Sequence, residues 1–322
     1  MSHIIQIIAT ELNVKIEQVN AAVGLLDEGS TVPFISRYRK EATVGLDDSQ
    51  LRILQERLIY LRELNERRGA IIKSIDEQGK LTPALEKAIK QADTKTRLED
   101  LYLPYKQKRR TKGQIAIEAG LEPLADALFN DPALLPEAEA GKYLNPEQGI
   151  HEAKEALEGA RYILMERFSV NAELLEQVRQ YMQAEAVVSS TLIKGKAQEA
   201  EKFKDYFEYT EAFKDIPSHR ALALFRGRRE GFLMLKLDIQ ETEPPRARHP
   251  CESMIANAFD ISNEGRAADA WLADVVRWTW KIKLHLHIES DLMAQLREQA
   301  ELEAINVFAH NLKDLLLAAP AG

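Results

Sequence analysis

Apolar residues recur at three- and four-residue intervals along most of this chain, and this helical periodicity restricts the fold more than any other feature. The clearest stripe follows the polar residues Asp47, Asp48 and Ser49, which are typical of a helix start. It resumes beyond Gly69, so this region forms one long helix or two helices joined near that glycine. The stripe consists of Leu51, Leu54, Leu58, Leu61, Ile72 and Ile75.

Other segments follow the same spacing. Thr82-Pro83 predicts a further helix start, and helical spacing extends over residues 150–188 and over most of residues 271–316. Glycine and proline number only 15 and 12 among 322 residues, which is few for a chain rich in turns. We therefore predict a mainly α protein, a multi-helical array of about two domains.

One region departs from the helical pattern. Alternating Leu233, Leu235, Leu237 and Ile239 predict a strand, and the run 221–225 precedes them across a basic stretch that contains Gly227 and Gly231. We predict a β-hairpin over about residues 220–239, with a basic loop at its tip, followed by a linker at Glu243–Arg246. The predicted domains are an N-terminal helical domain, residues 1–188, and a helical core region, residues 189–322, that carries the hairpin.

Charge and cysteine content exclude several classes of protein. With 51 acidic and 43 basic side chains the formal net charge is −8, so the chain is not a general polyanion binder and any nucleic-acid contact has to come from a local patch. Cys251 is the single cysteine, and neither a signal peptide nor a membrane-spanning stretch is evident. We expect a cytoplasmic protein that does not contact the membrane.

The strongest candidate site is a basic segment with tyrosines before it. If the segment is extended, alternate cations point to one side, as a phosphate backbone requires, and Tyr102 and Tyr105 offer stacking surface for bases. The alternative is a basic loop that docks on an acidic face of the same protein. The candidate residues of the basic segment are Tyr105, Lys106, Lys108, Arg109, Arg110 and Lys112.

Two smaller basic clusters follow the same reasoning. Arg37, Arg39 and Lys40 are expected on a helix that begins near Ser30–Pro33, where Arg37 can instead pair with Glu41 four residues on. The third cluster, Arg226, Arg228 and Arg229, lies in the predicted hairpin loop. Exposed loops of this kind often carry charge without a binding role. A structural role therefore remains an alternative for the third cluster, as the local partner Glu41 makes it for Arg37.

Catalytic and metal chemistry find little support. His285, His287 and Glu289 would share one side of a strand and start a metal site, but a helix would separate them. No phosphate-binding loop, nucleophile elbow or Cys-x-x-Cys pair occurs. We predict no catalytic residue, no metal and no cofactor.

Three stretches together resemble the signatures of the bacterial Tex family, the transcription accessory proteins. They occur in the family's order, and Ser36 and Gln107 are minor departures from its pattern. The stretches are VPFISRYRKEAT at 32–43, LEDLYLPYKQKRRT at 98–111 and PSHRALALFRG at 217–227.

The resemblance implies a helical N-terminal module with a helix-turn-helix-like element and a long central helix, similar to the core of a eukaryotic transcription elongation factor. It also implies that the chain is the front part of a longer protein, followed by an RNase H-like domain, a helix-hairpin-helix region and an RNA-binding OB-fold domain. The family signatures are not catalytic motifs, so the resemblance carries over no catalytic residue.

Two functions follow as hypotheses. In the first, the chain is a non-enzymatic scaffold of the transcription apparatus that contacts RNA or DNA weakly and without sequence specificity through its basic segments. In the second, it is a protein-interaction module that docks on RNA polymerase, the ribosome or its own downstream domains.

Overall fold

The computed structural model describes residues 2–106, 110–240 and 248–317. The predicted linker at Glu243–Arg246 lies outside these residues. The chain divides into two compact units, Met1–Tyr105 and Lys106–Gly322. The domain boundary predicted between residues 188 and 189 falls inside a strand of the second unit, Ala186–Leu192.

The first unit is built from helices alone in its described residues. The predicted helix starts near Asp47 and at Thr82 are both confirmed, each with a side chain that accepts a hydrogen bond from the helix backbone. The helices are α1 (Ser2–Leu12), α2 (Ile16–Asp27), α3 (Val32–Tyr38), α4 (Asp48–Glu77), α5 (Pro83–Gln91) and α6 (Lys95–Tyr102).

Helix α4 organises the first unit. It runs unbroken through Gly69, so the leucine stripe belongs to one helix of 30 residues. Asp47 and Gln50 form a capping box, in which the Gln50 amide N lies 2.7 Å from the Asp47 carboxylate and the Asp47 amide N lies 3.1 Å from the Gln50 side chain. The buried side chains of α4 are Leu51, Leu54, Leu58, Leu61, Leu64, Ile71 and Ile75.

Arginines along α4 reach the neighbouring helices. Arg57 pairs with Glu11 of α1 at 2.6 Å, and Arg67 pairs with Glu99 of α6 at 2.6 Å. Such partly exposed pairs contribute little to stability, and their main effect is to orient the helices around the buried stripe.

The second unit combines helices with one small sheet, in agreement with the predicted mainly α class. Its elements are α7 (Lys112–Glu118), α8 (Glu122–Asn130), α9 (Pro136–Ala140), α10 (Ala153–Ser169), α11 (Ala172–Glu185), β1 (Ala186–Leu192), β2 (Glu208–Ala212), α12 (Ser218–Arg229), β3 (Leu233–Ile239), α13 (Pro250–Ala258), α14 (Asp269–Trp278) and α15 (His285–Leu317).

The predicted β-hairpin at 220–239 is wrong in its first half. Residues 218–229 form α12, which buries Ala221, Leu224 and Gly227 at a helical spacing of three. The second half is correct, because β3 alternates buried and exposed residues. Its antiparallel partner is β1, which lies between β2 and β3 in the sheet. The sheet therefore joins segments far apart in sequence.

A continuous helix ends the described chain. Helices α14 and α15 are joined by a π-helical turn, Thr279–Leu284, in which the buried Thr279 hydroxyl donates to the Val275 carbonyl oxygen at 2.8 Å. Its large apolar residues from Leu302 onward are exposed. Among the residues that the structure describes, no helix is both long and apolar enough to cross a bilayer.

Gly227 lets α12 pack closely on β3, and this packing is open to a stability test. A Cβ added at Gly227 would lie 2.8 Å from Cγ of the buried Leu233, whereas a Cβ at Gly141 has open space within 4 Å. We expect Gly227→Ala to destabilise the second unit by about 1–2 kcal/mol through overpacking. Gly141→Ala should stabilise it by about 0.5 kcal/mol, because alanine restricts the unfolded chain. Urea denaturation followed by circular dichroism measures both, and equal stabilisation by the two variants would contradict the packing argument.

Candidate nucleic-acid interface

The structure describes the two ends of the basic segment. Lys106 is exposed at one end, while Lys108 and Arg109 lie outside the described residues. At the other end, Arg110 pairs with Glu118, with 2.9 Å between Arg110 Nε and the carboxylate. Lys112 is the first residue of α7. The extended row of alternate cations that the sequence suggested therefore does not include Lys112.

Lys112 engages an aromatic ring of α10. Its Nζ lies 4.7 Å from the centre of the Tyr162 ring and donates to the Tyr162 hydroxyl at 3.0 Å. That hydrogen bond raises the pKa of Lys112 above its ordinary value. Tyr162 in turn donates to the Glu158 carboxylate at 2.8 Å. The ammonium group is therefore exposed, charged and held in place over the ring.

Close packing of α7 on α10 produces this arrangement. Gly113 is buried next to Lys112, and a Cβ there would lie 3.0 Å from the Tyr162 carbonyl oxygen and 2.8 Å from Cδ of Glu166. Only glycine allows the two backbones to approach this closely. The approach places the side chain of Lys112 over α10.

The row continues from Tyr162 to a second aromatic ring. Arg161 lies 5.8 Å from the Tyr162 ring centre and 4.8 Å from that of Trp278, measured from its Cζ. Trp278 is 38% exposed at the end of α14. We call Lys112, Tyr162, Arg161 and Trp278 the cation–aromatic row. Arg161, Tyr162 and Trp278 are not among the site residues predicted from the sequence, although the alternation Arg277-Trp278-Thr279-Trp280-Lys281 was a signal for Trp278.

The tyrosines before the basic segment are less available. The Tyr102 hydroxyl lies 3.1 Å from the Ser74 hydroxyl, and Arg67 lies over the Tyr102 ring at 5.5 Å. Tyr105 is half-buried, and its carbonyl oxygen accepts a hydrogen bond from Gln78 at 3.0 Å. Tyr102 is thus occupied by contacts within the first unit, and Tyr105 is anchored there through its backbone.

The cluster at the end of α3 is exposed. The helix begins near the predicted residues but ends at Tyr38, so Arg37 and Glu41 do not share a helix and the expected ion pair between them does not form. Arg37, Arg39 and Lys40 are exposed and pair with no carboxylate in the described parts of the chain. Tyr38 beside them is 72% exposed. The cluster therefore combines free cations with an accessible ring.

The third basic cluster lies in the last turn of α12, and not in a hairpin loop. Cations are favoured there, because the carbonyl end of a helix carries partial negative charge. Arg226 pairs with Glu230 at 2.8 Å. Hydrogen bonds from Lys202 and Arg226 hold the pKa of Glu230 below its ordinary value. Arg228 and Arg229 are exposed and have no carboxylate partner in the described ranges.

Arg228 and Arg229 border a groove between α12 and α15. The groove has a volume of about 870 Å³, and Arg297 and Glu301 of α15 also line it. Its apolar lining is contributed by Leu222, Phe225, Leu235, Leu286 and Met293. A groove with a basic edge and apolar lining suits a ligand that is both acidic and apolar.

The candidate metal residues have other roles. His285, His287 and Glu289 lie on α15, where His285 and Glu289 share one side of the helix and His287 lies on another. His285 Nε2 is 2.9 Å from the Leu237 carbonyl oxygen, and Glu289 accepts from the Leu237 amide at 3.0 Å. In the described residues, no cluster of three or more histidine, cysteine or acidic side chains is placed to hold a metal ion.

Cys251 is not placed to act as a nucleophile or a metal ligand. Its thiol is buried, and burial raises the pKa of Cys251 to about 12. The thiol is therefore protonated at neutral pH and is not a nucleophile.

Together these features define a helical scaffold that presents separate basic and aromatic clusters. Residues 2–76 match the model described as the Tex-like protein N-terminal domain, and residues 131–308 match the Tex central region-like model. The chain belongs to the Tex family. The basic segment lies between the two matched regions.

Named relatives agree with this assignment. The chain is 58% identical to Protein YhgF of Escherichia coli over 319 residues, which cover 98% of the chain and 41% of that protein. It is 52% identical to the Transcriptional accessory protein Tex of Neisseria gonorrhoeae, over 99% of the chain and 42% of the relative. Human S1 RNA-binding domain-containing protein 1 is 27% identical, over 98% of the chain and 32% of the relative. The chain thus spans about two fifths of the length of its bacterial relatives.

The contact between Lys112 and Tyr162 gives a direct test of the site geometry. Tyr162→Phe keeps the ring but removes the hydroxyl acceptor, so the pKa of Lys112 should fall toward its ordinary value. Nuclear magnetic resonance titration of ¹³C-methylated lysines measures this change. The pKa of Lys142, raised by Glu139, serves as the internal reference and should stay constant. An unchanged pKa at Lys112 would show that the hydroxyl does not hold the ammonium group.

Proposed function

We propose that this chain is a non-enzymatic, nucleic-acid-associated scaffold of a transcription accessory factor in the cytoplasm. It contacts RNA or DNA without sequence specificity, through phosphate contacts made by its basic clusters. Membership of the Tex family supports the link to transcription, since a relative carries the name transcriptional accessory protein. The human relative is named for an RNA-binding S1 domain, and this name supports an association with RNA.

One observation carries the proposal. Arg37, Arg39, Lys40, Arg228 and Arg229 are exposed and have no carboxylate partner among the described residues, although acidic side chains outnumber basic ones in the chain. An unpaired exposed cation keeps its full attraction for phosphate. The basic segment belongs to the same proposal, because Lys106 is exposed. A phosphate at Arg110 would compete with Glu118, and one at Lys112 would bind beside the Tyr162 hydroxyl.

Charge reversal at the free arginines tests the proposal. Arg37→Glu/Arg39→Glu and Arg228→Glu/Arg229→Glu should each weaken binding of labelled RNA and DNA. For every phosphate of a single strand that a variant no longer neutralises, the slope of log affinity against log salt should become shallower by about 0.7. Fluorescence anisotropy at several salt concentrations measures both quantities. The variant Lys108→Glu/Arg109→Glu/Arg110→Glu tests the basic segment in the same way.

Paired lysines provide matched controls. Lys73→Glu/Lys90→Glu in the first unit and Lys142→Glu/Lys196→Glu in the second change the net charge equally, but each replaced lysine has an acidic partner nearby. If the control variants lose as much affinity as the arginine variants, net charge alone explains binding. The clusters would then not be contact sites.

A second candidate function is a protein-interaction module that docks on RNA polymerase, the ribosome or the downstream domains. The observation that favours it is the end of α15, where apolar side chains are exposed on every side of the helix. Phe308 is 67% exposed, and Leu315, Leu316 and Leu317 are each at least 73% exposed. Contiguous exposed apolar surface of this kind is typical of a site that another protein covers.

Polar substitution at the end of α15 separates this function from the first. If downstream domains cover it, Phe308→Asp/Leu312→Asp should weaken association with the remaining part of a full-length relative at least tenfold, as measured by isothermal titration calorimetry. Ile53→Asp/Ile59→Asp on the exposed side of α4 is the matched control and should have no effect. Undiminished association of the α15 variant would exclude this helix end as the docking surface, and nucleic-acid affinity should be the same for both variants.

A further inference from the structure

An aromatic side chain lies at the surface where α14 meets the π-helical turn. Trp278 is 38% exposed, whereas Trp280, two residues further on, is only 3% exposed and stacks on His249. Ile282, within the π turn, is 46% exposed. Trp278 and Ile282 thus form a small apolar surface that the second unit does not cover, and this surface adjoins the cation–aromatic row.

Cations and rings alternate along the row. Lys112 lies over Tyr162, Arg161 lies near both rings, and Trp278 ends the row. Arg161 Nε is buried and has no hydrogen-bond acceptor among the described residues. The guanidinium is therefore held mainly by the rings and by Glu158, 3.7 Å away. Its side chain is 20% exposed, so an incoming anion has access to the terminal nitrogens and not to Nε.

Charge around the row favours an anionic ligand. Lys281 is exposed and has no carboxylate partner in the described ranges. The nearby acids are largely neutralised: Glu166 lies 3.5 Å from Lys283, and Asp274 lies 2.6 Å from Arg277. The Glu158 carboxylate is shared between Tyr162 and Arg161. The balance near the row is positive in a protein that is acidic overall.

Exposed rings between cations are the features by which proteins hold unpaired nucleic acid. Bases stack on aromatic side chains, and cations track the phosphates. Bases inside a duplex are already stacked and paired, so their faces are not open to such rings. We propose that the cation–aromatic row binds single-stranded nucleic acid, with a base stacked on Trp278 and adjacent phosphates bound by Lys112 and Arg161. This inference rests on the proposed function and specifies its substrate as the unpaired strand.

The test compares single strands with duplexes on the full 322-residue chain. Fluorescence anisotropy is measured with a labelled oligouridine of about 12 nucleotides, the matching oligothymidine and a duplex of equal length. Trp278→Ala should weaken binding of both single strands by about 5- to 150-fold, the usual effect of losing one stacked base. Trp278→Phe keeps a ring and should retain most of the affinity, and duplex binding should be the same for all three proteins.

Two further readouts separate stacking from a structural effect. Oligothymidine should quench the tryptophan fluorescence of the parent protein but not that of Trp278→Phe, whereas the half-buried Trp271 changed to Phe should leave quenching intact. The salt dependence should stay constant in Trp278→Ala, because no charge is removed, and fall by about 0.7 in Lys112→Ala. Circular dichroism checks that each variant is folded.

The outcomes distinguish this inference from the proposed function. If the parent protein binds single strands but Trp278→Ala binds them equally well and no quenching occurs, the row is not the site. The proposed function then still stands on the arginine clusters. If the parent protein binds no nucleic acid even at low salt, both the proposed function and this inference are overturned.

Discussion

Burial of one apolar stripe along a long helix is the constraint on which each unit depends. In the first unit, α4 places seven leucine and isoleucine side chains on one side, and neither α1, α2, α3 nor α6 is long enough to form a core without them. In the second unit, the helix from α14 to α15 also buries one apolar stripe. The stripe consists of Leu272, Val275, Leu284, Ile288 and Leu292. Because the stripe has to face inward, the polar and charged residues of the same helix are fixed at the surface.

Surface ion pairs then determine where positive charge remains available. Arg57, Arg62 and Arg67 of α4 each lie within 2.7 Å of a carboxylate on a neighbouring helix. Such pairs add little stability at the surface, but they cancel the local potential that an approaching phosphate would feel. Exposed arginines without a carboxylate partner in the described residues lie at helix ends, at the end of α3 and in the last turn of α12. A net-acidic protein can therefore present local sites for an anion.

Local sequence predicted those features that depend on neighbouring residues. The helices, the cap at Asp47 and the alternation in β3 follow from spacing within one element, and the structure confirms them. The hairpin was wrong because the run 221–225 fits either a strand or a helix, and its alanines and leucines favour helix. The true partner of β3 is β1, whose pairing joins Ala186 to Ile239 across the sheet. No local pattern specifies so distant a contact.

The site was less predictable than the fold for a related reason. The pairing of Arg37 with Glu41 required α3 to continue one more turn, but the helix ends at Tyr38. Trp278 lies three residues after Val275 and shares an apolar stripe with Trp271, so spacing alone assigns it to the core. The buried stripe instead runs through Leu272, Val276 and Trp280, four residues apart, and leaves Trp278 exposed. Where two apolar stripes overlap in this way, spacing does not decide which of them faces inward.

The long helix of the second unit also separates its candidate surfaces. Trp278 lies in the first third of this helix, the groove with Arg297 lies further along, and Phe308 lies near its described end. At about 1.5 Å per residue, thirty residues span roughly 45 Å along a helix axis. A base stacked on Trp278 would therefore not cover the apolar end of α15. Because the two surfaces lie far apart along one helix, nucleic-acid contact at one leaves the other open to a protein.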